Sequence, residues 1–154
     1  MLHPDYRFCP RCATELAVRD FEGRERRTCP ACEFVHWNNP APVVAALLQV
    51  GDEILLARNA AWPPKTFALI TGFLEAGESA EHGIQHKVKK ETNLDAQRVE
   101  LIGVYDFTRK NELIIAYHVV ADGEIRLSHE LAEYRMVRPE RLQLEPDHVL
   151  AQML

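Results

Sequence analysis

The chain has 154 residues, 47% of them hydrophobic and 27% charged, with a formal net charge of -5 at pH 7. This length suits one domain of ordinary size plus a small appendage, and the composition is that of a soluble globular protein. The acidic balance argues against a general binder of nucleic acid or anionic membrane, and the longest apolar run, Ala41 to Leu48, is too short to span a bilayer.

The first ten residues, MLHPDYRFCP, lack the basic and then apolar pattern of a signal peptide. A cytoplasmic location is therefore expected. All four cysteines fall in two pairs, Cys9-Pro-Arg-Cys12 and Cys29-Pro-Ala-Cys32, separated by sixteen residues. Two such turns bring four thiolates into a tetrahedron, as a structural zinc site requires. With sulfur at all four positions, no place remains for a catalytic water. Paired disulfides are the competing reading, and a cytosolic context disfavours them. Residues 1–38 are expected to form a zinc ribbon, too small to fold without its metal. From Met1 to Asn39 six arginines stand against six acidic residues, so no basic face is implied and no nucleic-acid partner is expected. Phe34, Val35 and Trp37 are expected to pack the ribbon against the next domain.

Asn38-Asn39-Pro40 and Pro42 mark a linker, and residues 39–154 read as a second domain. Pro42 to Gln49 and Glu53 to Arg58 read as two strands joined through Gly51-Asp52. A loop at Ala61 to Lys65 precedes a short strand from Phe67 to Ile70. Further strands are expected at Arg98 to Phe107, Glu112 to Ala121, Glu124 to Leu127 and Tyr134 to Val137. Pro139 opens a short helical turn, and Pro146 starts a terminal helix running to Leu154.

Between these strands lies GFLEAGESAEHGIQHKVKKETNL, from Gly72 to Leu94. Gly77 permits a tight turn, Ser79 stands at an N-cap position, and Ala80, Ile84 and Val88 form one apolar stripe of a helix. Glu78 and Glu81 suit the positive end of its dipole, and Lys87, Lys89 and Lys90 the negative end. Asn93 stands where a left-handed C-terminal cap is wanted. Glu78, His82 and His86 share a stripe that could bind a transition metal but reads first as a surface face.

This stretch resembles the signature box of the Nudix hydrolases, which opens on glycine, places a glutamate six residues on, and ends in a helix bearing an arginine, three glutamates, a glycine and two aliphatic residues. Gly72 and Glu78 match the first half. The second half falls without a gap on His86 for arginine, Lys87 for glutamate, Val88 for aliphatic, Lys90 for glutamate, Glu91 for glutamate, Asn93 for glycine and Leu94 for aliphatic. The resemblance covers residues 39–154. It implies an α+β fold, the Nudix α/β/α sandwich with a mixed sheet, here preceded by the zinc ribbon. It also implies hydrolysis of the pyrophosphate in nucleoside diphosphates linked to a further group, with magnesium or manganese held on the helix. A ribbon before such a domain is similar to the NADH pyrophosphatase branch, but that branch's marker, roughly SQPWPFPxS, is not found after the box. YDFTRKNELIIAY stands there instead.

Positions 87, 90 and 91 project within an arc of about 100° on a helix. In the family that face carries metal-binding glutamates; here it carries Lys87, Lys90 and Glu91. An ammonium about 5 Å from a divalent ion is repelled by on the order of 6 kcal/mol at an effective dielectric of 20, and loss of a general base costs a further ~10²–10⁴ in rate. Three readings stay open. Glu75, Glu78, Glu130 or Glu133 rebuilds a metal site around Glu91. Alternatively, Lys87 and Lys90 contact phosphate directly in a nucleotide binder. In the third, the lysines are a solvated face on a catalytically inactive domain that binds a nucleotide or a protein. Arg58 and Lys65 precede the box and are further candidates for substrate phosphate. The expected partner is a small nucleotide derivative, and a homodimer is left open.

Overall fold

A computed structural model of the chain describes residues 6–142. The chain divides into two units, Met1–Pro40 and Ala41–Leu154. Among the described residues no helix is long and apolar enough to cross a membrane.

The first unit is a three-stranded antiparallel sheet, β1 (Ala17–Phe21), β2 (Arg24–Thr28) and β3 (Val35–His36). The hairpin between β1 and β2 turns on Glu22 and Gly23, both at positive φ (54° and 78°), the two-residue geometry that matches strand twist. Each Cys-x-x-Cys turn ends the same way: Ala13 and Glu33, just after the second cysteine of each pair, have φ of 60° and 61°. The core is small, with Cys9, Leu16 and Cys29 buried and Tyr6, Cys32 and Phe34 against them. Phe34 stacks on Tyr6, and Trp37 meets Phe21 edge-on under the Arg26 guanidinium. Both rings thus have partners within their own unit.

The second unit is a six-stranded mixed sheet. Its elements are β4 (Ala41–Val50), β5 (Glu53–Asn59), β6 (Ile70–Phe73), α1 (Ala80–Thr92), β7 (Asp95–Phe107), β8 (Glu112–Asp122) and β9 (Leu131–Val137). The strand order is β7-β8-β4-β5-β9, with β6 pairing β4. Strands β4 and β8 run parallel and every other pair is antiparallel. The mixed sheet with, among the described residues, one α-helix is the α+β architecture that the resemblance implies. The terminal helix expected from Pro146 lies outside the described residues.

Strand β4 reads as a nearly continuous apolar run because both of its faces are covered. Val44, Ala46 and Leu48 point to the side of α1 and pack with Ile84, Val88 and Leu94, whereas Val43 and Ala45 join Ile54, Leu69 and Ile114 on the opposite face. Ile84, Val88 and Leu94 are fully buried, each contributing roughly 1.5–3 kcal/mol by leaving water. That packing fixes the roll of α1 and therefore what its remaining faces present.

Two strand expectations are corrected. The strand before the box begins at Ile70 rather than Phe67, since Ala68 makes only an isolated bridge to Ala57. Glu124 to Leu127 is not a strand. The Arg126 amide donates to the Thr92 carbonyl, and the Ser128 amide donates to the Glu91 carbonyl, so this segment closes the C-terminal end of α1.

Candidate functional site

The helix forms where its local signals place it. Ser79 caps α1 by accepting from the His82 amide at 3.2 Å, and Asn93 ends it in the left-handed conformation at φ 65° with its amide on the Lys89 carbonyl. With the roll fixed by Ile84 and Val88, the box positions separate. Glu91 is 6% exposed, whereas the Lys90 side chain is 44% exposed. Lys87 lies along Gly72, so closely that a side chain at that glycine would run into the lysine stem.

Lys90, Glu91 and Glu130 converge. The Lys90 Nζ stands 3.1 Å from Glu130 Oε1 and 3.7 Å from Glu91 Oε1. The Ser128 hydroxyl donates to the other Glu91 oxygen. Bonded to Lys90 and lying in its field, Glu130 is held below the usual carboxylate range, with smaller pulls from His129 and Lys87. Lys90 is raised in turn, by Glu130 first and then by Glu91. Above this cluster opens a cleft of about 70 Å³, walled by Asn59, Trp62, Ile70 and Thr71 with Glu91 and Glu130 at one side. Trp62 is 39% exposed there. A wider opening of about 570 Å³ lies at the far end of β5 and β9, beside Glu53, Arg138 and Arg141, away from every box residue.

The other expected site residues disperse. Glu78 bonds His86 Nδ1 at 3.2 Å and accepts from the Glu75 amide at 3.4 Å, which holds the box loop onto the helix. Glu75 itself is exposed. Glu133 pairs with Arg58 at 2.9 Å, and Arg58 also donates to the Trp62 carbonyl, so that pair braces the loop behind the cleft. Lys65 is exposed in the same loop, at φ 72°. Glu130 is thus brought to Glu91, and Glu75, Glu78 and Glu133 are not. Sequence reasoning missed Ser128, Trp62, Asn59 and Thr71. Trp62, between Ala61 and Pro63, carried a weak signal as an aromatic in a loop; Ser128 carried none.

The divalent ion that the resemblance implies does not fit this donor set. Of the two carboxylates near each other, one has an oxygen committed to Ser128 and both face an ammonium. Among the described residues, the one group of three or more His, Cys, Asp or Glu side chains close enough to share an ion is Cys9, Cys12, Cys29 and Cys32.

That cluster does fit a metal such as zinc. Its four sulfurs lie within 4.8 Å of one another, with Cys9–Cys32, Cys12–Cys29 and Cys12–Cys32 at 3.4, 3.5 and 3.6 Å. A zinc ion with sulfur ligands at about 2.3 Å sets edges close to these values. The Arg11 amide points at Cys9 Sγ and the Ala31 amide at Cys29 Sγ, both at 3.4 Å. Hydrogen bonds from Thr14 bring the Cys12 thiol down to about 6. The Phe34 amide lowers Cys32, but the Cys9 sulfur, desolvation and the remaining two sulfurs push it up to about 12. Four sulfurs this close do not ionise together without a cation among them.

A NUDIX domain profile matches residues 39–152. The NAD-capped RNA hydrolase NudC of Pseudomonas aeruginosa is 32% identical over 120 residues, covering 77% of this chain and 42% of that protein. The NudC of Stutzerimonas stutzeri is 31% identical over 121 residues, covering 78% and 43%. The chain thus spans less than half the length of these curated relatives. In three dimensions it is similar to the crystal structure of a NUDIX hydrolase from Nitrosomonas europaea, with a TM-score of 0.77 and 25% identity over 88% of this chain and 80% of the other. The profile, the relatives and the mixed sheet with its capped helix agree: the chain belongs to the NUDIX domain family.

Proposed function

We propose that this chain binds a nucleoside diphosphate linked to a second group at the mouth of the Trp62 cleft, which is large enough to take only part of it, and cleaves its pyrophosphate far more slowly than a domain with carboxylates at positions 87 and 90. The family acts on nucleotide derivatives, which sets the ligand class. Trp62 offers an aromatic face for a base, Asn59 and Thr71 offer hydrogen-bonding side chains, and Lys87 and Lys90 bring two ammoniums to the phosphate end. The observation that carries the reading is the Lys90 ammonium between Glu130 at 3.1 Å and Glu91 at 3.7 Å. Hydrolysis of a pyrophosphate needs charge neutralised on the phosphates and a water activated, and a protonated lysine cannot take the proton from that water. Glu91 and Glu130 remain the proposed carboxylates of whatever turnover persists. Zinc in the cysteine cluster is proposed as structural.

The test is a hydrolysis panel of dinucleotides, nucleotide sugars and nucleoside triphosphates with magnesium or manganese, run on the native chain and on Lys87→Glu/Lys90→Glu. The curated relatives are named for NAD-capped RNA, so a pyrophosphate-linked dinucleotide belongs first on the panel. The double variant is expected to exceed the native chain by at least ~10² on the preferred substrate. Equal, fast turnover by both would overturn the reading.

A further inference from the structure

We infer that Lys90 is a built-in counter-ion, which closes the Glu91–Glu130 pair to divalent cations and leaves this domain to hold its phosphate ligand without one. The last clause rests on the ligand proposed above; the closure does not.

The Glu91 carboxylate and the backbone of Glu130 are held by contacts that do not involve Lys90, whereas the Glu130 carboxylate meets Lys90 itself. Glu91 is 6% exposed, and its side chain accepts from the Ser128 hydroxyl. The Ser128 amide bonds the Glu91 carbonyl at 3.0 Å, the Glu130 amide bonds the Ser128 hydroxyl at 3.3 Å, and the Glu130 carbonyl accepts from the Ala60 amide at 2.9 Å. Two carboxylates from segments 39 positions apart are therefore presented to one point, and the ammonium is already at that point. An ammonium has three N–H donors. One is given to Glu130 at 3.1 Å, and Glu91 stands at 3.7 Å as an ion-pair partner only, so donor capacity remains for a phosphate oxygen. Lys87 and Lys90 balance Glu91 and Glu130 in formal charge, so the site is electrically complete as it stands, and an arriving divalent ion meets a cation where it must bind.

A surface ion pair with no such role is the competing account, and it makes a different forecast. Mn²⁺ binding would be followed by electron paramagnetic resonance on the zinc-loaded full chain, without any nucleotide. The variants are Lys90→Gln, Lys90→Gln/Glu130→Gln, and Lys110→Gln as a control for net charge, since Lys110 sits over the Phe107 ring away from the cleft. Circular dichroism checks that each variant is folded. Lys90→Gln is expected to bind Mn²⁺ at least about tenfold more tightly than the native chain, with the gain lost in the double variant and absent in Lys110→Gln. Native and Lys90→Gln affinities within about threefold of each other, weak or strong, overturn the inference. So does a gain that survives Glu130→Gln, or an equal gain in Lys110→Gln. Because no nucleotide is present, failure of the proposed ligand leaves this result unaffected.

Discussion

Gly83 illustrates how a costly residue is explained by its neighbour. A glycine inside a helix costs about 1 kcal/mol relative to alanine. A side chain there would meet Leu74 Cδ1 at 2.7 Å and Glu78 Oε2 at 3.4 Å, so its absence lets the box loop lie flat on α1. Leu74 is itself fixed, with its amide on the Pro42 carbonyl at 3.0 Å. Lys90 and Glu130 carry a pH signature whose sign follows from their shifts. Glu130 is lowered, so its share of the stability is present above the unfolded carboxyl pKa, about 4.3, and is lost as pH falls through the folded value. Lys90 is raised, so its share is full below the unfolded lysine pKa, about 10.4, and is lost as pH rises through the folded value. Urea midpoints of the native chain and Glu130→Gln are expected to differ by a constant amount between about pH 5 and pH 9 and to converge toward both extremes. A difference independent of pH down to strong acid contradicts the pairing. Both side chains are about half exposed, so solvent screening keeps the difference small.

At the scale of the element, α1 was legible from end to end. Its caps are local: a serine before an apolar stripe, and an asparagine after it. Asn93 sits at φ 65° and also donates from its side chain to the Glu124 carbonyl at 3.0 Å. Asn93→Ala is expected to cost about 1–2 kcal/mol in urea denaturation, because alanine resists the left-handed region. Asn93→Gly, which retains that backbone at the loss of one exposed hydrogen bond, is expected to cost less; a larger loss for glycine would show that the side-chain bond, not φ, holds the cap. The segment after Gly123 was misread for a reason of the opposite kind. Glu124 to Leu127 alternates like a strand, but the amides of Arg126 and Ser128 are taken by the last carbonyls of α1, a contact that no local pattern encodes. The same holds for Lys90. Its spacing in the box could be counted, whereas its partner 40 residues away depends on how the β8–β9 connection returns to the helix.

The molecule as a whole is two units with different sources of stability. The second has apolar clusters on both sides of its sheet. Among its described residues the first has a hydrophobic core of three buried residues, two of them cysteines, which is too little to outweigh the entropy of ordering some 35 residues without a bound metal. A strong chelator is expected to collapse the amide signals of residues 6–40 in a two-dimensional NMR spectrum while those of β4, β5 and β8 persist. Loss of both sets together would mean that the second unit depends on the first. Cysteine spacing and the prolines that follow are the signals from which a boundary is expected, whereas the strands β1 to β3, with short alternations that are barely apolar, give no signal.

The connection that seals the end of α1 has one further consequence, and it concerns mutational history. Ser128 is held to the helix through the Glu91 carbonyl, and the Glu130 backbone is held by the Ser128 hydroxyl and the Ala60 amide, so an exchange at position 90 leaves the backbone that carries the opposing carboxylate tethered. Each lysine codon is one nucleotide from a glutamate codon. A lineage with this frame therefore stands two point changes from three carboxylates on one helix face, and a library selected for growth on a pyrophosphate-linked nutrient should reach the paired changes before any rearrangement of the sheet.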